Sequence, residues 1–134
     1  MEFIVGATSF SKDIVNNSNT ASAVGSGSLP VFATPSMIAL MENAASKCAQ
    51  QFLDNDHTSV GISMNIQHTS ATPIGMAVTA TAELIEVDGK KLTFKVTAKD
   101  EVDEIGSGIH ERVVIESSKF VCRTKAKKDK VAKQ

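Results

Sequence analysis

The chain has 134 residues, 42% of them hydrophobic and 22% charged, with a formal net charge of -1. That balance suits one soluble domain with a modest core and gives no global electrostatic reason to bind nucleic acid. No apolar run approaches the length of a membrane-spanning helix, and Trp and Tyr are absent, so platforms for stacking single-stranded bases are missing.

The N-terminus, MEFIVGATSF, carries an acid at position 2 and only a short apolar run. It lacks the features of a secretory signal, and a cytoplasmic location is expected. Residues 8 to 15, TSFSKDIV, alternate loosely and predict a first strand. The following NNSNTASAVGSGSLP reads as a loop; its length is that of functional lids and binding loops rather than of simple connections. Thr34 then offers a helix cap and Pro35 a first helical residue whose missing N–H costs nothing. Met37, Leu40, Met41, Ala44, Ala45, Cys48 and Phe52 recur at spacings of three and four, which predicts a helix over 35–52, stopped by LDNDHTS.

Four segments of strand character follow: VGISMNIQHTS, GMAVTATAELIEV, KLTFKVTAKDEV and GSGIHERVVIESSKFVC. The Asp88-Gly89 pair between the second and third marks a hairpin. In the second, Met76, Val78, Ala80, Ala82 and Leu84 alternate with Thr79, Thr81 and Glu83, as in a sheet packed on one face and wet on the other. An antiparallel sheet packed on one long helix is predicted. The last twelve residues hold six of the 14 basic ones and almost nothing to bury. The predicted organisation is a domain over 1–122 and a basic, solvated tail over 123–134.

Several polar residues have two readings. Glu42 interrupts the apolar helix; it belongs either to a solvent-facing stripe with Lys47 and Gln50 or to a site where a carboxylate is held for chemistry. His68, where an alternating strand meets a turn, is a general base or a surface residue. Arg112 follows Gly106 and Gly108, which permit a bulge or a close backbone approach, and an arginine there can bind carboxylate or phosphate. His57 and His110 read as incidental. Asp54, Asp56 and His57 cluster without a partner at metal-ligand spacing, so no metal is expected. Cys48 and Cys122 are too few for a disulfide framework, and Cys48 falls among the apolar helix positions.

The segments VFATPSMIALMENAA, SVGISMNIQHTSATPIGMAVTATAEL and DGKKLTFKVTAKDEVDEIGSGIHERVVI, in this order and spacing over roughly residues 28 to 120, closely resemble the hotdog-fold acyl-CoA thioesterases of the fluoroacetyl-CoA thioesterase type. The resemblance implies an α+β hotdog fold, a long central helix wrapped by a curved antiparallel β-sheet, dimeric, with active sites at the subunit interface. It implies a catalytic set of Thr34, of Glu42 eight positions later, and of His68. It assigns Gly61 to the oxyanion hole and Arg112 to the acyl end of the site. The implied reaction is hydrolysis of a short-chain acyl-CoA to free acid and CoA, with no cofactor beyond the CoA of the substrate. The implied partners are that substrate and a second copy of the chain, with neither nucleic acid nor membrane. The alternative within the fold is a non-catalytic protein that binds a CoA ester or small acid.

Two departures stand out. GSGSLP places Gly25 and Ser28 where the fluoroacetyl branch carries bulky lid aromatics, so fluorine-selective gating is not expected. Pro35 replaces the usual glycine. Lys90, Lys91, Arg123 and the tail lysines are all candidates to contact the phosphates of CoA, and sequence does not choose among them.

Overall fold

The computed structural model describes residues 2–131. Strand β1 (Thr8–Ile14) is followed by a short helix α1 (Ala21–Val24) and the long helix α2 (Thr34–Gln50). Then come β2 (His57–His68), β3 (Ala77–Asp88), β4 (Lys91–Lys99), β5 (Glu104–Glu116) and helix α3 (Ser117–Asp129). The strands form one antiparallel sheet in the order β1-β3-β4-β5-β2.

Alternation builds the core. Val78, Ala80, Ala82 and Leu84 of β3 and Leu92, Phe94, Val96 and Ala98 of β4 are buried against Met37, Met41, Ala44, Ala45, Cys48 and Ala49 of α2. Alanine on both surfaces lets the helix lie close to the sheet, and each fully buried methionine contributes about 1.5–3 kcal/mol. At the β3–β4 hairpin Asp88 pairs with Lys91, and Gly89 takes the positive φ of 60° that the turn requires. Along β5, an added Cβ on Gly106 would lie 2.7 Å from the Gln67 carbonyl oxygen and from the Met37 side chain. The glycine therefore marks a close approach.

Helix α2 differs in detail from its expected form. Ala33, with extended backbone, is the N-cap and makes no side-chain cap bond. Thr34 is already helical, and its hydroxyl is used elsewhere. The helix ends at Gln50, and Phe52 lies beyond it, edge-on to Phe3 with ring centroids 5.7 Å apart.

The long segment before α2 is partly structured. Thr20 caps α1 by accepting from Ala23 N at 3.3 Å, and Gly25 ends it in the left-handed region. Backbone bonds from Ala21 to Val31, Phe32 to Thr72 and Ala33 to Asn19 tie it down.

The last predicted strand is too long. β5 stops at Glu116, and residues 117–122 begin α3. Alternation fails after Glu116, whereas Phe120, Thr124 and Lys127 recur on one helical face, and Lys, Arg and Ala favour helix. The expected boundary at 122/123 thus falls inside a helix. The basic residues from Arg123 to Lys130 are exposed, as a solvated segment is. Residues 132–134 of that segment lie outside those described.

Candidate active site

The five residues singled out by sequence fall into two groups. The first joins the start of α2 to the end of β2. Thr34 Oγ1 and His68 Nδ1 are 2.7 Å apart. They border a cavity of about 290 Å³ that is also lined by Ala21, Ser26 and Val31 of the preceding loop and by Ser70. Burial lowers the His68 pKa, which favours the neutral ring. His68 Nε2 is buried; among the described residues it makes no hydrogen bond of good geometry, and the Ser70 backbone beside the ring opposes the effect of burial.

The second group lies where α2 crosses β2 and β5. Gly61 pairs with Arg112 across the β2–β5 ladder, and the register shifts between Gly61 and Ser63, bending β2 beside the site. A Cβ on Gly61 would lie 2.9 Å from Glu42 Oε2, 3.2 Å from His110 Cε1 and 3.6 Å from an Arg112 terminal nitrogen. A side chain at this position would have to displace the Glu42 carboxylate from beside β2. Arg112 Nη1 is 3.9 Å from Glu42 Oε2, and the Glu42 side chain is 44% exposed while that of Arg112 is 8% exposed. An open, long ion pair of this kind is weak. Glu42 is therefore not tied down by a short bond.

The buried guanidinium instead rests on neutral acceptors. Arg112 Nε donates to Ser59 Oγ at 2.8 Å, Nη2 to the Ser59 carbonyl at 2.9 Å, and Nη1 reaches His110 Nε2 at 3.1 Å. His110 donates from Nδ1 to the Ser63 carbonyl at 2.8 Å, so its Nε2 is free to accept from Arg112. Burial lowers the His110 pKa, and the nearby Arg112 charge acts in the same direction. Burial also lowers the Arg112 pKa, with Glu42 opposing. His110 is thus no incidental residue. It is 1% exposed and holds the arginine. Strand alternation carries the signal, since 110, 112 and 114 share the buried face of β5.

Thr34 and Glu42 are eight residues apart on one helix, which is about 12 Å along its axis. His68 is bonded at the Thr34 end. Among the described residues no hydrogen bond or ion pair joins Glu42 to either Thr34 or His68. A single chain therefore presents two halves of the expected set. Among the same residues no group of three or more His, Cys, Asp or Glu is placed to hold a metal ion, and no helix is long and apolar enough to cross a membrane.

Residues 15–118 match the family model described as fluoroacetyl-CoA-specific thioesterase. The chain belongs to this family. It is 46% identical over 97 residues to the fluoroacetyl-CoA thioesterase of Streptantibioticus cattleyicolor, covering 72% of this chain and 70% of that one. The solved structure of the fluoroacetyl-CoA thioesterase FlK superposes with a TM-score of 0.88 at 37% identity, over 95% of this chain and 98% of that one. A hypothetical protein of Thermus thermophilus, a thioesterase superfamily member, superposes with a TM-score of 0.91 at 24% identity over 99% of this chain and 98% of that one. At that identity it speaks for the fold alone. The helix wrapped by a five-stranded antiparallel sheet is the hotdog fold expected from the sequence.

Proposed function

We propose that this family member hydrolyses a short-chain acyl-CoA thioester to free acid and CoA at a site built by two copies of the chain. Glu42, Gly61 and Arg112 come from one protomer, Thr34 and His68 from its partner. The observation that carries the reading is the division of the catalytic set into two halves within one chain, each incomplete. The Thr34–His68 pair at the rim of its cavity and the half-open carboxylate of Glu42 are complementary groups. The sheet supports the same assembly. β2 is an edge strand of 12 residues, and Gly61, Ile62, Ser63 and Asn65 along it are exposed. A long edge of this sort is a template for pairing with a second copy.

In the completed site the thioester carbonyl lies beside Gly61, whose backbone N–H is the donor assigned to the developing oxyanion. As nucleophile, Glu42 forms a C–O bond to the carbonyl carbon as the C–S bond breaks, and water then cleaves the mixed anhydride to the free acid and restores the carboxylate; as base, Glu42 takes a proton from water while the water oxygen forms that C–O bond. On either route CoA leaves as a thiolate, which needs no strong acid. Thr34 fixes the His68 ring, and the pair, at the rim of the cavity, orients the attacking water. Arg112, itself fixed by Ser59 and His110, sits beside Glu42 and the acyl group. The CoA moiety is part of the substrate, and the scheme needs no further cofactor.

The test is saturable release of free thiol from acetyl-CoA. Glu42→Gln and His68→Asn are each expected to lower kcat by about 10²-fold or more while circular dichroism is unchanged. Rates unaffected by both changes would remove these residues from the chemistry. Tight binding of acetyl-CoA without product from the unaltered chain would make it a CoA-ester binding protein instead.

A further inference from the structure

The junction of β5 and α3 carries two adjoining cavities. One, of about 340 Å³, is lined by Lys90, Lys119 and Arg123 together with His57, Val114 and Glu116. The other, of about 420 Å³, adds Phe120, Thr124 and Lys127, and the two share Ile115 and Arg123. Lys119 is 3.4 Å from Glu116, which offsets the one carboxylate on the rim. Among the described residues Lys90, Arg123 and Lys127 form no ion pair. Lys91, by contrast, is engaged by Glu111 at 3.1 Å.

Unpaired cations from the β3–β4 turn and from α3 thus converge on one concave surface, beside the apolar side chains of Ile115 and Phe120. Cations next to a flat apolar wall match a phosphorylated nucleotide, with phosphates on the Lys and Arg groups and the base on the apolar part. Position along the strand fits as well. Val114, two residues beyond Arg112 on the same face of β5 and about 7 Å along the strand, lines the cavity with Lys90. The pantetheine arm of CoA, comparable to four or five extended residues, spans roughly 15 Å.

We propose that this surface binds the nucleotide end of CoA, with Lys90 and Arg123 contacting its phosphates and Ile115 and Phe120 flanking the adenine. The inference rests on the acyl-CoA reading above and names the substrate contacts that sequence left open. α3 continues past residue 118, where the family model's match stops, so Lys119, Arg123 and Lys127 are contributed by the segment beyond it.

The experiment compares acetyl-CoA with acetyl-pantetheine, which lacks the nucleotide, in the full-length protein. In the double variant Lys90→Ala/Arg123→Ala, KM for acetyl-CoA is expected to rise about tenfold or more, and more so at low salt. kcat/KM for acetyl-pantetheine should move less than about twofold, because that substrate makes no phosphate contact. Adenosine 3′,5′-bisphosphate should compete with acetyl-CoA in the unaltered protein and lose that effect in the double variant. Lys125→Ala/Lys128→Ala removes equal charge from residues that do not line the cavities, and should leave KM unchanged.

An unchanged KM in the first pair, or an equal rise in the second, overturns the site. If the unaltered protein hydrolyses neither thioester, the hydrolase reading fails separately. Calorimetric titration with adenosine 3′,5′-bisphosphate then decides the nucleotide site alone: binding abolished by Lys90→Ala/Arg123→Ala supports it, and no binding or equal binding refutes it.

Discussion

The buried guanidinium of Arg112 shows how single residues are set for the site. It gains a 3.9 Å approach to Glu42 and three shorter contacts with Ser59 and His110. Removing one acceptor from a buried charge is costly. His110→Ala is therefore expected to lower stability by about 1–3 kcal/mol and also to reduce kcat. The reduction in kcat should persist at temperatures where the variant is fully folded, as measured by thiol release alongside a thermal melt. The same histidine predicts a pH effect. Burial holds the folded pKa values of His110 and His68 below the ordinary 6.5. Below that pH the unfolded chain binds protons that the folded chain resists, so stability must fall as pH drops through and below about 6.5. Melting temperatures between pH 7.5 and pH 5 test this, and a smaller decline is expected in His110→Gln. Thr34, Glu42, His68, Gly61 and Arg112 were singled out through the family resemblance, and the structure brings Thr34 to His68 and Gly61 and Arg112 to Glu42. His110 was not, because its role is a bond to another side chain, and only the shared face of 110 and 112 hints at it.

At the scale of elements, legibility followed periodicity. The alternation in β3 and β4 and the spacing along α2 gave those elements to within a few residues, because each has one face to bury. The β5–α3 boundary was missed where apolar residues continue but the period changes from two to that of a helix. The helical turn at Ala21–Val24 was hidden in a segment of Asn, Ser and Gly, since four residues are too few to show a period. Strand β2 carries a consequence of its own. Among the described residues its outer edge is unpaired, and Ile62, 53% exposed, stands at the register shift beside Gly61. Placing a charge there opposes pairing of two copies without touching the core. Ile62→Asp is expected to yield a folded monomer by sedimentation, with thiol release reduced at least about tenfold. A folded, fully active monomer would show that one chain suffices.

At the scale of the whole molecule, the proposed set is divided. The family resemblance placed Thr34, Glu42 and His68 in one set, and one copy of the fold holds them as two halves, Thr34 with His68 and Glu42 with Gly61 and Arg112. Eight residues of rigid helix keep the halves apart in one chain, and spacing alone is silent on which copy supplies which half. A two-fold assembly makes a specific demand. When Glu42→Gln and His68→Asn chains, each inactive alone, are co-expressed, every mixed dimer has one site with both changes and one site with neither. Thiol release from acetyl-CoA by the mixture should return to about a quarter of the unaltered rate, reflecting random pairing. No recovery, with mixed dimers shown to be present by mass spectrometry, would place the whole catalytic set within a single chain and contradict the shared site.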